Sequence, residues 1–220
     1  MKRSLDRDLF YDIYFMKLLI PYNIKDMKVE FSKFTDNRDN KEYDTVIIDG
    51  IEWFRNNLDH DNTKDYGGSN FLDLFNIDPP SKKIPHRDSG RLYSFDSASS
   101  ACPEGWELPA RSVWIDLFKK ITKKNPHEWK QADSNMIYQV LSGKGSILNL
   151  DLTGYYGSNI IFRDDHKDFI ELGEAGYFWS SNPGALSNGG LSFVFSKKER
   201  RYKEIVSYEF CAIRPIRKNI

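Results

Sequence analysis

Cysteine, histidine, net charge and long apolar runs are all scarce in this sequence, and each scarcity closes off a class of function. The 220 residues hold four histidines, His60, His86, His127 and His166. They are scattered without the paired spacing of a zinc site, so no metal is expected. The two cysteines, Cys102 and Cys211, leave two readings open. One is a disulfide closing a long loop, worth about 4–5 kcal/mol in the chain-entropy model. The other is a pair of buried free thiols. Lys plus Arg and Asp plus Glu each number 32, so formal net charge is zero and nothing points to nucleic acid as a partner. The pairs Lys82-Lys83, Lys119-Lys120 and Lys123-Lys124 sit beside acidic residues and read as solvated faces. The apolar run Phe15 to Ile20 is broken by Lys17. It falls far short of the roughly 20 residues that span a bilayer, so no membrane insertion is expected. Asp6, Asp8 and Asp12 precede it, which is not the pattern of a signal peptide.

Aromatic residues are abundant, at 12 Tyr, 15 Phe and 5 Trp. Core packing accounts for most, although rings with polar handles also suit interfaces and sugar-facing surfaces. The most informative stretch is Ala101-Cys102-Pro103-Glu104-Gly105-Trp106-Glu107-Leu108-Pro109. It is a stiff Pro- and Gly-bearing turn. It opens a helix predicted over Arg111 to Lys123, in which Trp114, Phe118 and Ile121 recur on one face.

Residues 1–40 read as an N-terminal docking arm and linker, with Phe10, Tyr11, Tyr14, Phe15 and Phe31 as its contact residues. Within it Met27 to Phe31 alternates as an edge strand would, and Thr35 to Lys41 is a polar turn or linker. The main domain is assigned to 41–220. Asp44 to Ile48, the turn Asp49-Gly50 and Ile51 to Phe54 predict a hairpin. A polar loop follows from Asp59 to Asn70, and residues 71–90 are irregular. Further strands are predicted at Arg91 to Phe95, Ser146 to Leu152, Asn159 to Phe162, Gly176 to Trp179, Leu191 to Phe195 and Ile205 to Ile213, with a second helix at Asp133 to Leu141. One or two helices followed by many short strands is an α+β pattern.

Four segments in order resemble the Fibrobacter succinogenes major paralogous domain family. They are Tyr43 to Leu58, Leu92-Tyr93 leading into Cys102 to Pro109 and Trp114, Gly176 to Ser181, and Phe210 to Arg217. The resemblance covers roughly residues 41–218. It implies a C-type-lectin-like fold related to that of formylglycine-generating enzymes, with short twisted antiparallel strands, one or two helices and long loops. Trp53, Cys102, Trp106, Trp114, Trp179 and Arg214 are then its fold-defining residues. Relatives start the helix with Ser or Thr and a capping box. Here Ala110 and Val113 stand in those places, so that box is missing.

Nothing in the chain has the layout of a catalytic site. Cys102 has no base near it in sequence, and Gly143-Lys144-Gly145-Ser146 lacks the full glycine spacing of a phosphate loop. No enzyme activity and no cofactor are expected. Asp59-His60-Asp61-Asn62 and Asp164 to Asp168 are oxygen-rich and read either as calcium loops or as solvated turns. Binding is expected from loops rich in Tyr, Ser, Gly and Asn: Tyr66 to Asn70, Tyr155-Tyr156-Gly157-Ser158-Asn159, and Asn182 to Asn188. The leading expectation is a non-enzymatic binding or assembly module of a bacteriophage particle or surface appendage. Its partner would be another protein or a second copy, through residues 1–40, with a cell-surface glycan or protein as receptor. The alternatives are an extracellular or periplasmic glycan-binding protein of a Bacteroidetes-type bacterium, or a degenerate enzyme of the formylglycine-generating type.

Overall fold

A computed structural model describes residues 26–66, 80–85, 89–143, 145–158, 167–184, 189–198, 201–207 and 209–218, with backbone only at 66, 158, 167 and 201–207. Phe10, Tyr11, Tyr14 and Phe15 of the arm, and Asn70, Asn159 and Asn188 of the loops, lie outside them. So does the strand predicted at Asn159 to Phe162.

The predicted hairpin is present: β2 (Lys41–Ile48) pairs antiparallel with β3 (Ile51–Phe54) around Asp49-Gly50. Strand β1 (Val29–Asp36) adds to it along its full length, from Val29 opposite Ile48 to Asp36 opposite Lys41. This corrects the division at residue 40, because the strand assigned to the arm is the edge strand of the domain's own sheet. Phe31, expected as a docking residue, is half-buried against the core with the Arg55 guanidinium 4.8 Å from its ring. The C-terminal strand β11 (Ile216–Lys218) closes the sheet on the far side of β3, giving the order β1-β2-β3-β11.

Side chains alternate across a strand, and this sheet buries both faces. Val46, Ile48 and Trp53 point into one core, while Tyr43 and Phe54 point into another. The first core is organised on helix α2 (Arg111–Thr122), whose Trp114 lies 4.9 Å from Trp53 and 5.4 Å from Phe193 between ring centroids. Helix α3 (Gln131–Leu141) adds Ile137, Val140 and Leu141. The second core gathers Tyr93, Trp106, Trp179 and Cys211. Trp53, Trp106, Trp114 and Trp179 are all buried, as the sequence predicted. Glu52 is 2% exposed on the second face. Its charge is met by the Thr45 hydroxyl at 2.7 Å and by Arg217 Nε at 2.6 Å. The Arg217 guanidinium lies over Trp106 at 4.6 Å.

Three more small antiparallel sheets surround this frame: β8 (Ala175–Pro183), β9 (Gly190–Ser196) and β10 (Arg201–Ser207) in the order β10-β9-β8; β4 (Ser81–Lys83) with β5 (Arg91–Tyr93); and β6 (Tyr155–Ser158) with β7 (Lys167–Ile170). The α+β class is as predicted. No helix among the described residues is long and apolar enough to cross a membrane. Some elements differ from expectation. Phe95 opens a short helix, α1 (Phe95–Ala101), and does not end a strand. Tyr155 to Ser158 is a strand and not a loop. The strand predicted over Ile205 to Ile213 is two pieces, with β10 ending at Ser207 and single bridges at Phe210 to Ala212.

Ser146 to Leu152 is not a strand either, and the reason is chemical. The carbonyls of Ser146 to Asn149 are taken by two guanidinium groups and not by a neighbouring strand. Arg55 donates from Nε to Ile147 O at 3.1 Å and from Nη2 to Ser146 O at 3.2 Å. The fully buried Arg214 donates from Nη1 to Leu148 O and from Nη2 to Asn149 O, both at 3.0 Å, and weakly to Phe54 O at 3.4 Å. Burial pushes its pKa down to about 9. Replacing Arg214 with Met would keep most of the volume but strand these carbonyls. A loss of about 3 kcal/mol or more is expected in urea unfolding. Arg214→Lys should recover only part, since one ammonium cannot span the three acceptors. A Met variant as stable as the parent would refute the role.

Candidate functional site

The described members of the predicted binding loops do not form one surface. Tyr66 ends a short 3-10 turn, Asn62–Tyr66. Tyr155 and Tyr156 lie on β6. Asn182 lies near the far end of β8, five residues from the Tyr177 that Tyr155 touches, or roughly 15 Å along the strand.

Asn182 is occupied structurally. Its Oδ1 accepts the Arg111 N–H at 2.6 Å, and Ser181 N–H donates to Pro109 O at 3.0 Å. The residue at the start of α2, Ala110, offers no side-chain cap. The cap missing from the local sequence is therefore supplied from β8. Asn182, expected among the ligand-binding residues, thus has a structural role at the start of α2. At its other end α2 stops at Lys123 in the left-handed region, φ 57°.

Tyr156 is likewise part of the framework. It packs on Phe169 at 5.2 Å and Phe210 at 5.6 Å, with Lys82 Nζ 4.8 Å from its ring centroid. Tyr155 is different. It is half-buried, its ring meets Tyr177 at 4.8 Å and 60°, and no hydrogen bond holds its hydroxyl among the described residues. Tyr177 is buried and donates its hydroxyl to Glu171 Oε2 at 2.8 Å. Burial first, then the charges of Glu171 and Glu209, raises the pKa of Tyr155. Sequence reasoning missed Tyr177, Glu171 and Glu209 because they stand on separate segments. The Gly154–Gly176 bridge sets Tyr177 beside Tyr155, and the pairing of β6 with β7 and with Phe210 brings in the segments of Glu171 and Glu209.

The Asp59 loop is tied down by the protein's own cations. Asp59 is matched by Lys83 at 2.6 Å, Lys41 at 3.0 Å and Arg91 at 3.8 Å, and Asp61 by Arg91 at 2.5 Å. Asp36, Asp39 and His60 converge within 4.8 Å. The Asp36 carboxylate is already chelated by Arg38, with Nε to Oδ1 at 2.9 Å and Nη2 to Oδ2 at 2.7 Å. A cation bound here would compete with that guanidinium, so the protein's own side chains supply the positive charge. Burial alone would raise the Asp36 pKa, but the Arg38 hydrogen bonds outweigh it and hold it below the ordinary value.

Cys102 and Cys211 are both free thiols. Burial pushes the Cys102 thiol up to about 12, and its Sγ donates to Ala98 O at 3.6 Å. A nucleophile needs the opposite shift.

With this geometry in hand, comparison with known families is decisive on one point. The model of the Fibrobacter succinogenes major domain matches residues 34–217. The chain belongs to that family. Searches of curated proteins and of solved structures gave no match. The start of the family match inside β1 agrees with the pairing of that strand into the domain sheet. The major domain ends on the segment that carries Arg214.

Two outcomes are expected of these residues. Asn182→Ala should cost about 1 kcal/mol, read by thermal or urea unfolding, because α2 loses its only side-chain cap seen among the described residues. Ellman's reagent should leave both thiols untouched in the native protein and modify both, without reductant, after unfolding. Rapid native labelling of Cys102 would contradict the raised pKa of this half-buried thiol.

Proposed function

We propose that this major domain is a non-enzymatic binding or assembly module, docked through the residues ahead of β1 to a bacteriophage particle or another surface appendage. The observation that carries the reading is where the chain enters the domain. It does so through an edge strand, β1, which hydrogen-bonds to β2 alone among the described strands. Residues 1–25, with Phe10, Tyr11, Tyr14 and Phe15, thus precede an edge of the sheet where another chain can be met. Several polar groups that a catalytic reading would draw on are engaged in the fold: Asn182 in a helix cap, Asp36 with Arg38, and Cys102 as a half-buried thiol with a raised pKa. That speaks for binding over the degenerate-enzyme alternative. The lectin-like reading of the fold belongs to the same proposal. It is supported by the closure of the two ends of the domain in one sheet, β11 on β3.

The test compares the mass of the full chain with that of the 26–220 fragment by light scattering, with circular dichroism to verify folding. The fragment begins at 26 so that β1 remains whole. An assembly present in the full chain and lost in a folded fragment is expected. Equal masses would overturn the assembly reading and favour the glycan-binding surface protein, for which a glycan array is the direct assay.

A further inference from the structure

The outer edge of β1 is a backbone ladder left half made among the described residues. Lys28 O accepts the Asp49 N–H at 3.0 Å and Asp36 O accepts the Asn40 N–H at 2.7 Å, so the even-numbered residues of the strand turn their backbone groups towards β2. In an antiparallel pair the hydrogen-bonding residues alternate with those that face away. Val29, Phe31, Lys33 and Thr35 therefore direct their N–H and C=O groups outward, where β1 has no partner among the described strands. The register with β2 runs unbroken for eight residues, without a bulge and without proline. Lys33 is the kind of charge that keeps an edge from pairing, but it is tied to Glu42 of β2. Phe31 and Phe34, on opposite faces of the sheet, stay half-buried at this edge.

We propose that the β1 edge pairs antiparallel with β1 of a second copy of this chain, about a two-fold axis at Ser32, so that one sheet runs through two subunits. The strand is complementary to itself in that register. Val29 then stands opposite Thr35 of the other copy and Phe31 opposite Lys33, each pair twice, and every outward N–H and C=O of the strand gains a partner. On the other face Ser32 meets Ser32 and Glu30 meets Phe34, so no like charges are opposed. An axis at Lys33 would set Lys33 against Lys33, and an axis at Phe31 would leave Thr35 outside the ladder. Charge and length thus select one register and one occupant. The proposal rests on the reading of the domain as an assembly module and names another copy as its partner. Two paired strands fall short of the roughly 1,200 Å² that a stable interface buries, and residues 1–25 complete it.

The full chain carrying Ser32→Cys provides the test. Facing residues of a pair without mutual hydrogen bonds stand about 4.5 Å apart at Cα, within the span of a disulfide. With oxidised glutathione under native conditions a covalent dimer is expected on a non-reducing gel. The parent, whose Cys102 and Cys211 are free thiols, should give none. Glu30→Cys, which faces Phe34 and not itself, should cross-link far less. Light scattering over a dilution series reads the ladder without the added thiol. Lys33→Pro removes one outward N–H and leaves the bonds to β2 in place, and Ser32→Glu sets like charges at the axis. Each should weaken the dimer by about fivefold or more while keeping the circular dichroism of the parent. A full chain that stays monomeric at every concentration, no covalent dimer from Ser32→Cys, equal cross-linking from Glu30→Cys, or a Ser32→Glu variant that assembles like the parent would each overturn the pairing. A mass that falls on removal of residues 1–25 but is indifferent to Ser32→Glu would keep the arm and reject the edge, and the converse would reject the arm and keep the edge.

Discussion

One short segment near the C-terminus, Phe210 to Lys218, holds this domain together. It is hydrogen-bonded to all four described sheets in turn. Phe210 pairs with Tyr156 of β6, Cys211 with Tyr93 of β5, Ala212 with β8 beside Phe178, and β11 with β3. Leu58 and Phe54 donate to the carbonyls of Ile213 and Pro215 on the way. Small sheets of two to four strands have little stability alone. Here they are made one body by a common seam. Arg214 sits in the middle of it, buried without an ion pair among the described residues, and spends its charge on backbone carbonyls. A buried guanidinium is costly to desolvate, and several charge-assisted hydrogen bonds offset that cost. The arrangement ties Ser146 to Asn149, a stretch with no strand partner, to both ends of the domain.

The same economy recurs elsewhere. Helix α2 has no capping side chain of its own and receives one from Asn182, so the end of β8 and the start of α2 are fixed against each other. Asp36 is held by Arg38 within the β1–β2 turn, and Asp59 by lysines and arginine from β2, β4 and β5. Polar groups that look like chemistry in a linear reading are mutual supports in three dimensions. What remains less committed among the described elements is a sheet edge at β1.

Much of the architecture was legible before any coordinates. The spacing of Trp114, Phe118 and Ile121 located α2, the Asp49-Gly50 turn located the hairpin, and four tryptophans marked the core. These signals are local, or they reflect the simple preference of large rings for burial. The readings that needed revision depended on partners far away in sequence. Met27 to Phe31 reads as a strand of an arm, because the β2 partner of β1 lies beyond a polar turn that reads as a linker. Ser146 to Leu152 has the apolar content of a strand, but the carbonyls of Ser146 to Asn149 go to arginines. Asn182 looks like an adaptable loop residue until Arg111 is seen beside it.

The sequence by itself determined the fold class, the family, the position of the first long helix and the identity of the core rings. Hydrophobic period, turn residues and a recognisable residue string are written locally. Only the tertiary structure decided that one sheet serves two cores, that the edge strand belongs to the domain, and that Asn182 caps α2 from the end of β8. Those facts rest on strand register and on pairings between distant segments, which no local pattern encodes.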